Sequence, residues 1–359
     1  MLKLRTIVFR FLFMSVFGMI AVSAPTYAQQ PPQPRKHTVT KAGEVKLRSA
    51  NVDPITASKI NITIENGKRI IRANSISQQK TGAFPGAGNP NRISEQKLTY
   101  TLPVKPSMNT SPKHFQLGTF GIGVNGVIFD PQAAEWYLGK RFSKWQYDAL
   151  GGALPLGFDA HVAHVQPNGS YHYHGMPNGL LKNLSFKQGQ HSPLVGWALD
   201  GFPIFAVFGQ GSDGIIKRLH PSYRLKAGNR PKGQQEPGGK HDGAFVADWE
   251  YIEGLGDLDA CNGAFTNTKD FPDGTYAYFL TDRFPVVPRC FFGTPVEFGP
   301  KRPSFGSNSR PNLKNAAKKL GVSINDLRAA LGPPPPNFHQ AAGKLGVSEE
   351  QLRQALHLR

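Results

Sequence analysis

The run DAHVAHVQPNGSYHYHG, residues 159–175, reads as two extended segments joined by a tight turn at Pro167-Asn168-Gly169. Asn-Gly is the dipeptide that short hairpins favour, because their central residues need positive φ. On a strand, alternate side chains share a face, so His172 and His174 point the same way with Cβ atoms about 7 Å apart, and Tyr171 and Tyr173 occupy the other face. Two rings so placed can reach one ion at roughly 2.0 to 2.1 Å. Five of the 11 histidines fall between residues 161 and 191: His161, His164, His172, His174 and His191. The plain alternative is a strand whose tyrosines pack inward while its histidines face solvent. Five histidines on both sides of one turn favour a metal site instead, with His161, His164 or His191 completing the pair. Imidazole without thiolate suits zinc, copper, nickel or iron(II), zinc and copper foremost. Asp159 is placed to fix an imidazole tautomer.

Outward from this hairpin the same pattern recurs. Turn dipeptides stand at Asn66-Gly67, Asn125-Gly126, Asp200-Gly201, Asp213-Gly214, Asp242-Gly243 and Asp273-Gly274, flanked by short apolar or alternating runs. Residues 43–299 are therefore expected to form one mainly β domain, an antiparallel sandwich or irregular barrel. Trp136, Trp145, Trp197 and Trp249 are read as core. Gly121 to Gly126 matches GxGxxG, but Val127-Ile128-Phe129-Asp130-Pro131 follows as strand and turn where a dinucleotide site needs a helix. Neither a GxSxG elbow nor a GxxxxGK phosphate loop is present.

The chain has 359 residues with 39% hydrophobic content and 24 Phe, enough for one or two cored domains. Lys3, Arg5 and Arg10 precede an apolar stretch from Phe11 to Ala24, and Thr26-Tyr27-Ala28 offers small residues for cleavage. About 14 apolar residues are too few for a membrane span, so residues 1–28 are expected to be a signal peptide, with the protein periplasmic or extracellular. Residues 29–42 are polar and Pro-rich and are expected to be a flexible leader. In an oxidising compartment Cys261 and Cys290, the two cysteines of the chain, are expected to pair. The net charge of +18 falls to +15 without the three basic residues of the expected signal segment, Lys3, Arg5 and Arg10. Spread charge of this kind suits anionic envelope polymers, and the lack of a basic-aromatic motif argues against specific nucleic-acid binding.

The tail differs. Residues 300–311 read as a linker, and Asn312 to Leu331 and Asn337 to Leu356 repeat at an offset of 25, AAKKLGVSINDLRAAL against AAGKLGVSEEQLRQAL. Each copy reads as two short helices: Asn312 and Asn337 cap the first, Gly321 and Gly346 end it, and Ser323 and Ser348 cap the second. Residues 312–358 thus form a helical repeat module suited to packing or protein contacts.

A second polar cluster lies in GLGDLDACNG, where Asp257, Asp259 and Asn262 offer hard oxygen ligands suited to calcium. It is not an EF-hand loop, and an acidic turn held by the adjoining disulfide is the simpler reading.

The run FDAHVAHVQPNGSYHYHG, followed by HSPLVGWALDGFPIF, DGAFVADWEYIEGLGDLDACNG and GTYAYFLTDRFPVVPRCFFG, resembles the YHYH family of exported bacterial proteins. FPGAGNPNRI and GVNGVIFDP upstream resemble it too, so the likeness spans residues 76–299. The resemblance implies export and a histidine metal site without an established activity. In the family pattern a His precedes the Thr-Gly of the upstream block, where this chain has Gln78, Gln79 and Lys80. Three functions follow as expectations: an exported transition-metal-binding protein, a metal-dependent secreted hydrolase or oxidoreductase, or a calcium-stabilised envelope or adhesion module.

Overall fold

The computed structural model describes residues 37–211, 213–296, 313–332 and 338–356. The expected signal peptide, the start of the leader and the 300–311 linker lie outside these residues. A three-stranded meander opens the described fold: β1 (Ile60–Glu65), β2 (Lys68–Ala73) and β3 (Leu98–Pro103), in the order β1-β2-β3. Asn66 and Gly67 join the first two with φ of 50° and 71°, the pair of positive values that a right-twisted hairpin demands.

The principal sheet has eight strands: β4 (Gly121–Gly123), β5 (Ile128–Phe129), β6 (Ala163–Val165), β7 (Tyr171–Tyr173), β8 (Leu194–Ala198), β9 (Pro203–Phe205), β10 (Gly263–Thr268) and β11 (Phe271–Phe279). Their order is β10-β11-β9-β8-β4-β5-β7-β6. All neighbours are antiparallel except β5 with β7 and β9 with β11. Its end strands β10 and β6 do not pair, so the barrel alternative falls and the sandwich reading holds. Ile71, Ala73, Tyr100 and Leu102 of the meander share one buried core with Phe120, Ile122, Val195 and Trp197 of the sheet. Strands β4, β5, β7 and β9 are buried on both faces, which is why their sequences are continuous apolar or aromatic runs. At Gly121 a Cβ would lie 2.5 Å from the Trp197 carbonyl oxygen, so this strand contact needs glycine.

Three further observations bear on the expectations. Cys261 and Cys290 form a disulfide with Cα atoms 5.2 Å apart. The leader is held from His37 onward, since the Tyr147 hydroxyl donates to Val39 O, Arg230 Nη1 donates to Thr40 O and Ala42 N–H donates to Asp242. Backbone polar groups of Val39, Thr40 and Ala42, at the end of the expected leader, thus have partners on the β domain. No helix among the described residues is long and apolar enough to cross a membrane.

One short helix, α1 (Asn178–Asn183), follows β7, and the tail forms α2 (Leu313–Leu320), α3 (Ile324–Leu331), α4 (Phe338–Leu345) and α5 (Glu349–Ala355). Ala316, Leu327, Ala341 and Leu352 meet in a core built by both copies of the repeat, so each copy is the partner that the other's apolar face requires. Gly321 and Gly346 end the first helices at φ of 68° and 67°, and Ser323 and Ser348 cap the second, with Gln351 completing a capping box. The caps expected at Asn312 and Asn337 lie outside the described residues.

Candidate metal centre

Strand pairing places His164 of β6 directly opposite His172 of β7, while alternation places His174 two residues beyond His172 on the same side. The three rings meet at their Nε2 atoms. His172 Nε2 lies 2.8 Å from His174 Nε2, which in turn lies 3.0 Å from His164 Nε2. Among the described residues this is the one group of three or more His, Cys, Asp or Glu whose donor atoms lie within 4.8 Å of one another.

The surroundings fix the chemistry of those nitrogens. A backbone carbonyl only accepts, so His164 Nδ1 donates to Leu156 O at 2.7 Å and His172 Nδ1 donates to Ser170 O at 3.1 Å. Each of these two rings therefore turns an Nε2 lone pair toward the centre. Carbonyl-held Nδ1–H groups of this kind orient metal-bound imidazoles in general. His174 sits between them with its Nδ1 buried and without a partner among the described residues. A proton on His174 Nε2 can satisfy one neighbouring lone pair but not both, whereas a cation satisfies all three.

Burial sets the protonation. His172 and His174 are 1% and 3% exposed, and desolvation, followed by the neighbouring His164, holds both rings well below the ordinary imidazole range. Desolvation likewise lowers His164. Neutral rings are the metal-binding form. Phe158 packs 4.9 Å from the His164 ring and 5.1 Å from the His174 ring, closing one side with carbon. Four ligands on a tetrahedral ion at 2.0 to 2.1 Å stand about 3.3 Å apart, so these nitrogens need to spread by only a few tenths of an ångström. The donor set fits a transition metal.

His161 and His191 lie elsewhere. Val162, just before the first residue of β6, takes a φ of 53°, and His161, an odd number of residues from His164, lies before that break. Its Nε2 donates to Lys80 O and its Nδ1 accepts from Gly179 N–H. His191 spends Nδ1 on Ser192 O and Nε2 on the Thr266 hydroxyl, with its ring edge-on to Phe205 at 4.8 Å. Asp159 touches none of the three rings. It accepts from the Tyr171 hydroxyl and from Gly82 and His161 N–H, so it braces the hairpin and the upstream block and sets no imidazole tautomer of the triad. Gln78, Gln79 and Lys80 line a small cavity with His161, so the departure from the family pattern falls there and leaves the converging rings untouched.

The oxygen ligands expected of the second cluster serve the protein itself. Asp257 accepts from His220 N–H and pairs with Lys217, while Asp259 accepts from Cys261 and Gly263 N–H and the Tyr276 hydroxyl. Asn262 donates to Pro285 O and the Thr281 hydroxyl. These contacts match the acidic-turn reading.

His174 also lines a cavity of about 410 Å³ together with Asp148, Trp249, Phe284 and Arg289. Sequence reasoning missed this wall, and the sole signal was an arginine beside a disulfide cysteine.

A family model described as YHYH protein matches residues 99–293, more than half of the chain, so the chain belongs to the YHYH family. The match contains all three converging histidines and both cysteines. No curated protein and no solved structure matches the chain.

Proposed function

We propose that this YHYH-family protein binds a divalent transition metal, zinc or copper, through Nε2 of His164, His172 and His174. The observation that carries the reading is the convergence of three neutral imidazole nitrogens, two of them aimed by carbonyl-bound Nδ1–H groups. Three imidazoles with no thiolate or carboxylate suit these two metals best. The cavity beside His174 supports an exchangeable fourth position, the arrangement that distinguishes metal sites able to bind or activate a ligand from closed structural ones. When bound, such an ion supplies Lewis acidity or redox capacity, and the chain contributes a dry, pre-oriented three-nitrogen face. The N-terminal segment and the Cys261–Cys290 disulfide support a periplasmic or extracellular setting for that function.

The test is the metal content of the purified protein by mass spectrometry, with the double variant His172→Ala/His174→Ala alongside. About one equivalent of zinc or copper per chain, lost in the variant, is expected. Wild-type protein that takes up neither metal on titration refutes the reading. X-ray absorption would then separate a closed four-protein-ligand shell from three imidazoles plus a light exchangeable atom.

A further inference from the structure

Arg289 is 13% exposed and makes one polar side-chain contact, Nη2 donating to Asp148 Oδ1 at 2.6 Å. A guanidinium carries five N–H donors, and here Nε and Nη1 are buried without a partner among the described residues. Leaving such donors unmet in the interior is costly, and Arg289 lines the cavity, so a ligand there that accepts from the guanidinium would offset that cost. The group is also held still. Its guanidinium carbon lies 4.9 Å over the Phe284 ring, and Phe284 stacks on Trp249 at 4.6 Å with the planes 4° apart.

The charges around the cavity favour an anion. Its three carboxylates are already engaged by arginines: Asp148 by Arg289, Asp242 by Arg230 and Asp282 by Arg218. The uncommitted polar capacity is thus cationic. Most of the remaining wall is apolar, including Leu47, Val45, Val162 and Val287. A second cavity, of about 670 Å³, shares Leu150, Val162, Asp282 and Val286 with the first and continues past Met176, Leu181 and Val207. Both volumes fall in the range of about 300–1,000 Å³ usual for small-molecule sites.

We propose that the paired cavities bind an amphiphilic carboxylate, its head group on the Arg289 guanidinium beside His174 and its apolar body running along Leu150, Val162 and Val286. Arginine suits a carboxylate because its planar donors are fixed, charged and directional. The site goes beyond the metal reading and does not require it.

Octanoate is the probe, with octan-1-ol as its uncharged counterpart and butyrate as its short one, titrated into purified protein by calorimetry and followed by Trp249 fluorescence. Octanoate is expected to bind in preference to both. The double variant Arg289→Gln/Asp148→Asn removes the cation without stranding its buried carboxylate, and should weaken octanoate about tenfold or more while leaving octan-1-ol unchanged. Met176→Trp, which fills the second cavity, should weaken octanoate and spare butyrate. Wild-type protein that does not bind octanoate, or an unaltered affinity in the Arg289 variant with its melting temperature retained, overturns the proposal. Metal content is measured on the same samples, so a failure of the metal reading is seen separately from a failure of this one.

Discussion

On the proposed metal reading, removing the ion should destabilise the protein by an amount that depends on His172. A ligand at 100 times its Kd stabilises the folded state by about 2.7 kcal/mol when the unfolded chain does not bind it. A domain of this size shifts its melting temperature by roughly 2–4 °C per kcal/mol, so chelation should lower it by about 5–11 °C. The structure adds to this expectation, because without the ion two Nε2 lone pairs 2.8 and 3.0 Å from His174 Nε2 compete for a single proton. His172→Ala should erase the difference between metal-loaded and chelated samples. His161→Ala and His191→Ala remove rings from the same stretch that bond elsewhere, so they should keep the full difference whatever they do to the baseline. The assay is thermal denaturation by circular dichroism with and without added zinc or copper, before and after chelation. An undiminished difference in His172→Ala, or an equal loss in His191→Ala, would refute the assignment of the three nitrogens.

Burial pushes the Asp130 carboxyl up to about 7, with Oδ1 lacking a partner among the described residues, so the folded state resists its ionisation. Wild type should therefore lose stability relative to Asp130→Asn as pH rises from about 4, at about 1.4 kcal/mol per unit, levelling above about 7; denaturant melts showing a pH-independent offset would contradict this. Asp248 and Arg230 are fully buried and joined by two 2.7 Å bonds, and Asp248 also accepts from Gly243 and Phe245 N–H. Asp248→Ala should cost about 3–5 kcal/mol, or roughly 6–20 °C in melting temperature, and a drop of under about 3 °C would show the pair to be dispensable. Reduction of Cys261–Cys290, which lie 29 positions apart, should cost about 3–4 kcal/mol by loop entropy, measured as the denaturation midpoint with and without reductant; coincident curves would count against it.

Local rules made part of this site legible. Alternation alone pairs His172 with His174, and the Asn168-Gly169 turn brings His164 opposite His172. The same alternation separates His161 from His164, since an odd spacing reverses the face, and the structure adds a positive φ at Val162 just before the strand begins. His191 was drawn in by density along the chain, and density is not convergence. The tail repeat was legible because caps and glycine stops act within a few residues. The parallel pairing of β5 with β7 and the arrival of Arg289 depend on contacts between distant segments, for which no short-range pattern exists, while the carbonyls of Leu156 and Ser170 lie only eight and two residues from the rings they hold.

That division has a physical consequence for the proposed metal site. A hairpin of residues 159–175 alone would carry all three histidines in register, yet in water its rings would titrate as ordinary imidazoles and wander among rotamers. The hairpin sets the register and supplies the Ser170 carbonyl, but the burial that keeps the nitrogens neutral comes largely from outside it. Ile128 flanks His172 from the neighbouring parallel strand, Phe158 covers His164 and His174, and the segment ending at the Cys261–Cys290 disulfide brings Arg289 to the cavity wall. The motif holds the ligands, and the remainder of the domain holds them dry. Metal affinity should therefore fall with loss of the domain's packing even where every histidine is intact.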